Sequence, residues 1–322
     1  MSRIIEKPII VASKCLGFES CRYNGGIQND EFIKRLNNFV EFVTVCPEVA
    51  IGLSTPRDPI RIVQNNGELS LIQPKTGKDI SKAMYEFSSE FITSLGEVDG
   101  FILKSRSPSC GIKDVKIYPG TEKGGGSAKG KGFFASVAQE KLSHLAIEDE
   151  GRLKDFNIRE HFLTKVFTLS EFRKIKNEKS IKNLIDFHSK NKLLFMAYSQ
   201  KHLKYLGNVV GNNDKKSDDE VFTLYSEVLY QLLSRAPRYT SRINVLMKAM
   251  GYFSDKLSHN EKAFLLDTIE RYRLGNVTFS VPLYVLKSHV VRFNEERLLN
   301  QSFFMPYPEA LIEMRDSGKL TH

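Results

Sequence analysis

The chain has 322 residues, a length that predicts two domains rather than one. Its hydrophobic content of 41% is enough for ordinary cores, and no apolar run reaches the roughly 18 residues of a membrane-spanning helix. The N-terminus lacks the apolar segment of a secretory signal, so we expect a cytoplasmic protein with no membrane partner. The net charge of +9 is compatible with a nucleic-acid partner without establishing one, and the composition gives no signal for the oligomeric state.

Strands and helices are predicted to alternate in the first half of the chain. Short apolar runs that are rich in β-branched residues predict buried strands at residues 8–13, 42–45 and 99–104. Two further strands, 60–63 and 69–72, are expected to form a hairpin around an Asn-Gly turn. Apolar spacing typical of helices marks residues 29–39, 79–95 and 133–150. This alternation predicts an α/β domain with a Rossmann-like parallel sheet, over residues 1–152.

The second half of the chain has the patterning of helices throughout. Apolar residues recur at helical spacing in residues 158–172, 181–205, 219–233, 241–253, 258–275 and 281–299. The segment 207–219 is polar and rich in glycine and asparagine, which predicts a break between helices. Residues 153–322 are therefore predicted to form an all-α domain.

All four cysteines lie in the first third of the chain, at Cys15, Cys21, Cys46 and Cys110. In a cytosolic protein this clustering favours metal binding or catalysis over disulfides, the alternative being buried and inert thiols. Three of the cysteines follow predicted strands, at the sheet edge where α/β proteins bind ligands. No Cys-x-x-Cys knuckle of a zinc site is present. Three thiolates from three loops suit a 4Fe–4S cluster with one open iron, and Cys21 as a fourth ligand would close it.

Polar side chains accompany the cysteines. Glu48, two residues after Cys46, is a candidate general base on water, or a cap of the following turn. Ser107 and Ser109 lie just before Cys110 and could hydrogen-bond to a cluster or to a substrate carbonyl or thiocarbonyl. The alternative is that these serines are ordinary turn formers.

Basic residues occur in two places that could contact phosphate. Four cations lie near the predicted strand ends, where they could offset cluster charge or bind phosphate: Arg22, Arg57, Lys104 and Arg106. The predicted helix 181–205 is also basic and includes His188, Lys190 and Lys192. Such a helix could lie along a nucleic-acid backbone. In both places the alternative is solvated surface charge.

The motifs resemble those of two known families. Ser13-Lys-Cys-Leu-Gly17, Cys46-Pro-Glu48 and Leu103-Lys-Ser-Arg-Ser-Pro-Ser-Cys-Gly111 resemble the thiouracil desulfidase (TudS-like) family over about residues 8–150. The segments His188-Ser-Lys-Asn-Lys192 and Pro306-Tyr-Pro308 resemble the YbgA-type helical domain. Together the two halves resemble the fused RNA-uridine desulfidases (RudS-like), which remove sulfur from 4-thiouridine in transfer RNA.

The resemblance implies specific roles. It implies a 4Fe–4S cluster bound by Cys15, Cys46 and Cys110, with Glu48 and Ser107 as catalytic residues. Water activated by the glutamate would attack the ring carbon, in a hydrolysis that needs no electron donor. The base would be extruded from the folded RNA, and the helical domain would bind the RNA backbone. Substrate or RNA contacts are expected from Arg22, Arg57, Lys104, Arg106, Ser109, His188, Lys190 and Lys192.

Two other functions are compatible with the sequence. One is a desulfidase of free thiouracil-type bases, in which the helical domain serves only oligomerisation. The other is a non-catalytic, redox-sensing nucleic-acid-binding protein whose cluster is ligated by all four cysteines. Two positions depart from the family pattern: Asn24 stands where many members have Asp, and Leu16 is single where a pair of leucines is common.

Overall fold

A computed structural model describes residues 6–65, 67–120 and 128–312, and the chain forms two compact units that divide at Glu171 and Phe172. This division falls inside a long helix, Phe156–Glu178, whereas the sequence placed the boundary after residue 152. The difference arises because the first part of the helix packs on the N-terminal unit. There the buried Lys165 Nζ donates a hydrogen bond of 3.0 Å to the carbonyl oxygen of Leu145. Within the described ranges, no helix is both long enough and apolar enough to cross a membrane.

Among its described residues, the first unit contains nine strands and five α-helices. The strands are β1 (Ile9–Ser13), β2 (Glu41–Val45), β3 (Arg61–Asn65), β4 (Glu68–Gln73), β5 (Lys78–Asp79), β6 (Gly100–Leu103), β7 (Val115–Tyr118), β8 (Ala128–Gly130) and β9 (Ala146–Asp149). The helices are α1 (Glu31–Leu36), α2 (Pro47–Ala50), α3 (Ser81–Ser94), α4 (Phe133–Lys141) and α5 (Phe156–Glu178), the last of which continues into the second unit.

The main sheet is parallel and has the strand order β2-β1-β6-β9. Its central strands are buried, apart from the half-buried Ile9 at the start of β1, which explains why β1 and β6 are continuous apolar runs. The prediction of an α/β unit with a Rossmann-like parallel sheet is confirmed. The prediction of a helix across 133–150 is wrong at its end, because α4 stops at Lys141 and β9 follows as an edge strand beside β6.

A second, mixed sheet has the strand order β5-β4-β3-β7-β8. The predicted hairpin is confirmed as the antiparallel pair β3 and β4, while β7 joins β3 in parallel. Strands β7 and β8 were not predicted. This sheet packs its buried Ile62, Leu71 and Val115 against Met84 of α3, forming a core of its own beside the main sheet.

The second unit is helical across its described residues, as predicted. Its helices are α6 (Ile181–Lys190), α7 (Lys192–Tyr198), α8 (Gln200–Gly211), α9 (Asp218–Leu232), α10 (Tyr239–Met250), α11 (His259–Arg273), α12 (Ser280–Arg292) and α13 (Glu296–Leu299). The prediction of one continuous helix across 181–205 is therefore wrong, because the structure divides this segment among α6, α7 and the start of α8. The side chain of the buried Asn191 donates back to the carbonyl oxygen of Phe187 at 2.9 Å, and Ser199 Oγ accepts the N–H of His202 at 3.3 Å as an N-cap. The predicted helix 281–299 likewise divides into α12 and α13.

Candidate active site

A cavity of about 820 Å³ lies at the carboxyl ends of β1, β2 and β6. Its lining includes all four cysteines of the chain. Cys15 follows β1, Cys46 joins β2 to α2, and Cys110 lies in the loop after β6. Because the strands are parallel neighbours in the order β2-β1-β6, their carboxyl ends bring these three loops together. Cys21 reaches the same cavity from the long loop between β1 and α1.

The four cysteines are free thiols, of which Cys21 and Cys110 are buried and Cys15 and Cys46 are half-buried. Burial is the main cause that raises the pKa of Cys110, and of Cys21, to about 12. Burial also raises the pKa of Cys15, with further contributions from the neighbouring Cys110, Cys21 and Cys46. Within the described residues, no three His, Cys, Asp or Glu side chains are grouped closely enough to hold one metal ion.

The carboxylate of Glu48 is held at both of its oxygens. Arg57 donates from Nε and Nη2 to Glu48 Oε2, at 2.9 and 2.6 Å. Ser109 Oγ donates to the other oxygen, Oε1, at 2.7 Å. The Arg57 side chain is only 4% exposed and that of Glu48 is 12% exposed, so the pair is largely shielded from water. A carboxylate fixed in this way beside an open cavity is well placed to take a proton from a bound water.

The two serines of the Ser-Pro-Ser-Cys segment have different surroundings. Ser107 Oγ accepts hydrogen bonds from the backbone N–H groups of Ser109 and Cys110, at 3.3 and 3.1 Å, and so braces the turn. Ser109 Oγ contacts Glu48 and lies 3.7 Å from Cys110 Sγ. The two hydroxyl oxygens are 2.9 Å apart. A continuous hydrogen-bonded chain therefore runs from Ser107 through Ser109 to Glu48.

Residues 10–150, which contain this whole constellation, match the family described as 2-thiouracil desulfurase. The protein YbbK of Bacillus subtilis (strain 168), described as uncharacterized, is 34% identical to the chain over 149 residues, which are 44% of this chain and 97% of YbbK. The chain belongs to the 2-thiouracil desulfurase family. A solved structure described as the [4Fe-4S]-dependent thiouracil desulfidase TudS is 26% identical, with a TM-score of 0.38, and the match covers 46% of this chain and 94% of that one.

This desulfurase family member carries a second family domain. Residues 192–308 match DUF1722, a family described as being of unknown function. The protein YbgA of Escherichia coli (strain K12), described as uncharacterized, is 30% identical over 160 residues, which are 49% of this chain and 94% of YbgA. The two matched segments lie one after the other along the chain, as the two predicted halves do.

The four predicted cations line the desulfurase cavity, but two of them are already engaged. Arg57 binds Glu48, and Lys104 forms a short ion pair with the buried carboxylate of Glu150. The charge of Lys104 acts to lower the pKa of the nearby Cys15, against the larger effect of burial. Arg22 lies 6.0 Å from the ring centroid of its neighbour Tyr23. Arg106 is exposed and has a φ of 59°.

Several lining residues of the desulfurase cavity were missed by sequence reasoning. The first is Ser13 at the end of β1, whose hydroxyl acts to lower the pKa of Cys110 and accepts the N–H of Lys104 at 2.9 Å. The others come from the second sheet: Arg61, Lys116, Tyr118 and Lys129. The alternation Val-Lys-Ile-Tyr in β7 is the signal that could have located Lys116 and Tyr118 on one face of a strand.

The predicted RNA contacts of the helical domain have contrasting environments. Lys190 and Lys192 are exposed. His188 is half-buried, and its Nδ1 lies 3.2 Å from the hydroxyl of the buried Tyr225. Burial, followed by the charge of Lys192, lowers the pKa of His188 to about 4. This histidine is therefore neutral at pH 7.

Proposed function

We propose that this protein is a desulfidase that uses a 4Fe–4S cluster to hydrolyse the thiocarbonyl group of 4-thiouridine in transfer RNA. The observation that carries the proposal is one cavity lined by four free thiols, Glu48, Ser107 and Ser109. Membership of the 2-thiouracil desulfurase family supports the type of reaction. The products would be uridine in the RNA and hydrogen sulfide.

The donor set at the cavity fits an iron–sulfur cluster. Thiolates on separate loops can each bind a different iron of such a cluster, with Cys15, Cys46 and Cys110 as the three ligands. The volume of about 820 Å³ leaves room for a group larger than a single ion. Positive charge is available nearby, since Lys104 acts to lower the pKa of Cys15 and Arg57 acts to lower that of Cys21.

The chain's own residues would supply the proton transfers. When bound, the cluster provides a Lewis-acidic iron that can accept a soft sulfur atom. Glu48 takes a proton from the water that attacks the ring carbon, while Arg57 keeps the carboxylate in position. Ser109 hydrogen-bonds to that carboxylate and, through Ser107, belongs to a chain that can return a proton. A carbon–oxygen double bond replaces the carbon–sulfur bond, and water supplies the oxygen atom and both hydrogens of H₂S, so no electrons are exchanged.

The charge of the surfaces supports transfer RNA as the proposed substrate. Among the described residues that line the cavity, basic side chains outnumber the acidic ones, which are Glu48 and Asp114. The basic set is Lys14, Arg22, Arg57, Arg61, Lys104, Arg106, Lys116 and Lys129. In the helical unit, the exposed Lys190 and Lys192 would bind the RNA backbone. A 4-thiouridine within folded RNA would be extruded to reach the cavity.

Anaerobic reconstitution with iron and sulfide tests this function. The reconstituted protein should remove the near-ultraviolet absorbance of 4-thiouridine from transfer RNA and release hydrogen sulfide. The variant Glu48→Gln should keep its iron and lose at least 100-fold in kcat, as expected for the loss of a general base. Unchanged transfer RNA in the presence of a full complement of iron and sulfide would reject the proposal.

The same preparation separates the two alternatives. Activity on free thiouracil with none on transfer RNA would identify a small-molecule desulfidase. Replacement of each cysteine by serine separates a catalytic cluster from a closed one. Three-cysteine ligation predicts that Cys21→Ser keeps its iron, whereas Cys15→Ser, Cys46→Ser and Cys110→Ser lose it. Loss of the cluster in Cys21→Ser as well would favour a fully ligated, non-catalytic sensor.

A further inference from the structure

We propose that three basic residues of the second sheet, Arg61, Lys116 and Lys129, bind an RNA backbone phosphate beside the reacting nucleotide. We call these three residues the cationic ladder. The proposal rests on the proposed function, because it assigns the part of the substrate that the ladder contacts. It also goes beyond that function, since it gives the catalytic unit its own means of distinguishing RNA from a free thiobase.

The strand register places the three cations in one row. Strand β7 pairs with β3 with Ile117 opposite Ile62, so Lys116 lies opposite Arg61. On the other side of β7, Lys116 lies directly opposite Lys129 of β8. Successive side chains of a strand point to opposite faces of its sheet.

The alternation of side chains fixes which face the row occupies. The neighbouring Ile62, Val115 and Ile117 point into the core of the second sheet. Arg61, Lys116 and Lys129 therefore share the other face, and all three line the cavity that contains Glu48 and the cysteines.

This row is electrostatically unfavourable unless an anion covers it. Like charges directly opposite each other on neighbouring strands destabilise a sheet. Asp114 pairs with Lys129 at 3.1 Å, but both side chains are largely exposed, and such surface pairs contribute little. Among the described residues, neither Arg61 nor Lys116 has an ion-pair partner. Two of the three cations thus remain available to an anion in the cavity.

The chemistry of the row suits a phosphate group. The Arg61 guanidinium lies over the Tyr118 ring, 4.9 Å from its centroid, which leaves the N–H edge of the guanidinium available. Arginine donates two parallel hydrogen bonds to a phosphate, and lysines add charge at close range. A free thiobase has no phosphate, whereas each nucleotide of RNA carries one. The ladder would therefore contribute to binding of RNA and of a thiolated mononucleotide, but not of the base.

The test compares two charge-matched variants of the full-length, cluster-loaded protein. The ladder variant is Arg61→Gln/Lys116→Gln/Lys129→Gln. The control variant is Lys75→Gln/Lys78→Gln/Lys82→Gln, which removes three cations from exposed positions of the same unit that do not line the cavity. Binding is measured for three probes: transfer RNA that contains 4-thiouridine, 4-thiouridine 5′-monophosphate, and free 4-thiouracil. The single variant Lys116→Gln repeats the measurement if the triple variant does not fold.

The ladder variant should bind transfer RNA and the mononucleotide at least tenfold more weakly, and should bind 4-thiouracil within twofold of the wild type. The slope of log affinity for transfer RNA against log salt should fall by about 0.7, which is the value for one phosphate contact. The control variant should change by less than twofold throughout. Weakening for transfer RNA alone would support a contact with a flanking backbone phosphate.

Three results would overturn the ladder: unchanged binding of transfer RNA, an equal loss for the free base, or an equal loss in the control variant. The proposed function is judged separately, by turnover of thiolated transfer RNA by the wild type. A wild type that binds RNA through the ladder but leaves its sulfur in place would reject the function and keep the ladder. A wild type that desulfurises RNA, together with a ladder variant that binds RNA normally, would support the proposed function and reject the ladder.

Discussion

Ser109 Oγ donates a 2.7 Å hydrogen bond to Glu48 Oε1, which makes the second serine of the Ser-Pro-Ser-Cys segment the direct partner of the carboxylate. The first serine, Ser107, instead accepts two backbone N–H groups of its own turn and reaches Glu48 only through Ser109. The resemblance assigned the catalytic role to Ser107. The structure offers a second candidate, and the two roles lead to different predictions.

We expect Ser109→Ala to lower kcat at least tenfold while the iron content stays within about 20% of wild type, because the variant removes a hydrogen bond to a charged group. Ser107→Ala should lower the iron content as well, since two backbone N–H groups next to Cys110 lose their acceptor, at a cost of about 1–3 kcal/mol. Iron content and kcat on thiolated RNA are the two measurements. Ser94→Ala, an exposed serine at the end of α3, is the control. Full activity of Ser109→Ala would show that its contact with Glu48 has no catalytic role.

Arg57 is predicted to position Glu48 and not to bind substrate. Its Nε and Nη2 both donate to Glu48 Oε2, and its Nη1 donates to the carbonyl oxygen of Cys21 at 3.1 Å. A lysine cannot reproduce this set of contacts, so Arg57→Lys should lose at least tenfold in kcat with KM changed by less than threefold. Arg57→Gln should lose more, because Glu48 would then be a shielded carboxylate without its cation. A rise in KM at constant kcat would instead identify Arg57 as a substrate-binding residue.

The parts of the site on the main sheet could be predicted from the sequence, because β1 and β6 are short, continuous apolar runs. Each is followed by a cysteine loop, and parallel strands bring such loops to one edge. The second sheet was missed in part because β7 has four residues and β8 has three. Alternation over so few residues is a weak signal. The residues of β9 were predicted to be part of a helix. They form a strand because they pair with β6, a long-range contact that the local sequence pattern does not indicate.

Side-chain partners were the least predictable feature. Neither the contact between Arg57 and Glu48 nor the ion pair of Lys104 with Glu150 follows from the spacing of these residues along the chain. His188 belongs to a basic segment, which suggested a surface cation. Its burial beside Tyr225 depends on how α6 packs, which the helical pattern does not specify.

Gly132 is predicted to tolerate no side chain without a loss of activity, because the backbone of Pro108 and Ser109 packs directly on it. A Cβ atom at Gly132 would lie 2.4 Å from the carbonyl oxygen of Ser109 and 2.9 Å from that of Pro108, and neither backbone atom can move aside alone. The φ of Gly132 is −73°, so an alanine would be excluded by space and not by backbone conformation. Gly132→Ala should therefore displace Ser109 from Glu48, lowering kcat at least tenfold and the free energy of unfolding by about 1–3 kcal/mol. Gly96→Ala is the matched control, since a Cβ there meets no atom within 4 Å. Normal kcat and stability in Gly132→Ala would show that the loop adapts.

His188 is predicted to make the stability of the helical unit depend on pH. Its pKa is about 4 in the folded chain, against 6.5 as the ordinary value, so the unfolded chain binds more protons between these two values. Stability therefore rises with pH from about 4 to 6.5 and is lost as the pH falls through this window. Partial exposure of the ring limits the effect to about 1–2 kcal/mol between pH 7 and pH 5.

The measurement is urea unfolding at pH 7 and pH 5, followed by circular dichroism of the helices. His188→Gln removes the titrating group, so its stability should change less between the two pH values than that of the wild type. His259→Gln, at an exposed position at the start of α11, should keep the wild-type difference.

The same variants test the RNA contact. Because His188 is neutral at pH 7, His188→Gln should leave the salt dependence of RNA binding unchanged, whereas Lys190→Gln/Lys192→Gln should reduce its slope by about 1. A reduced slope in His188→Gln would mean that this histidine carries charge at the RNA surface and is not held neutral beside Tyr225.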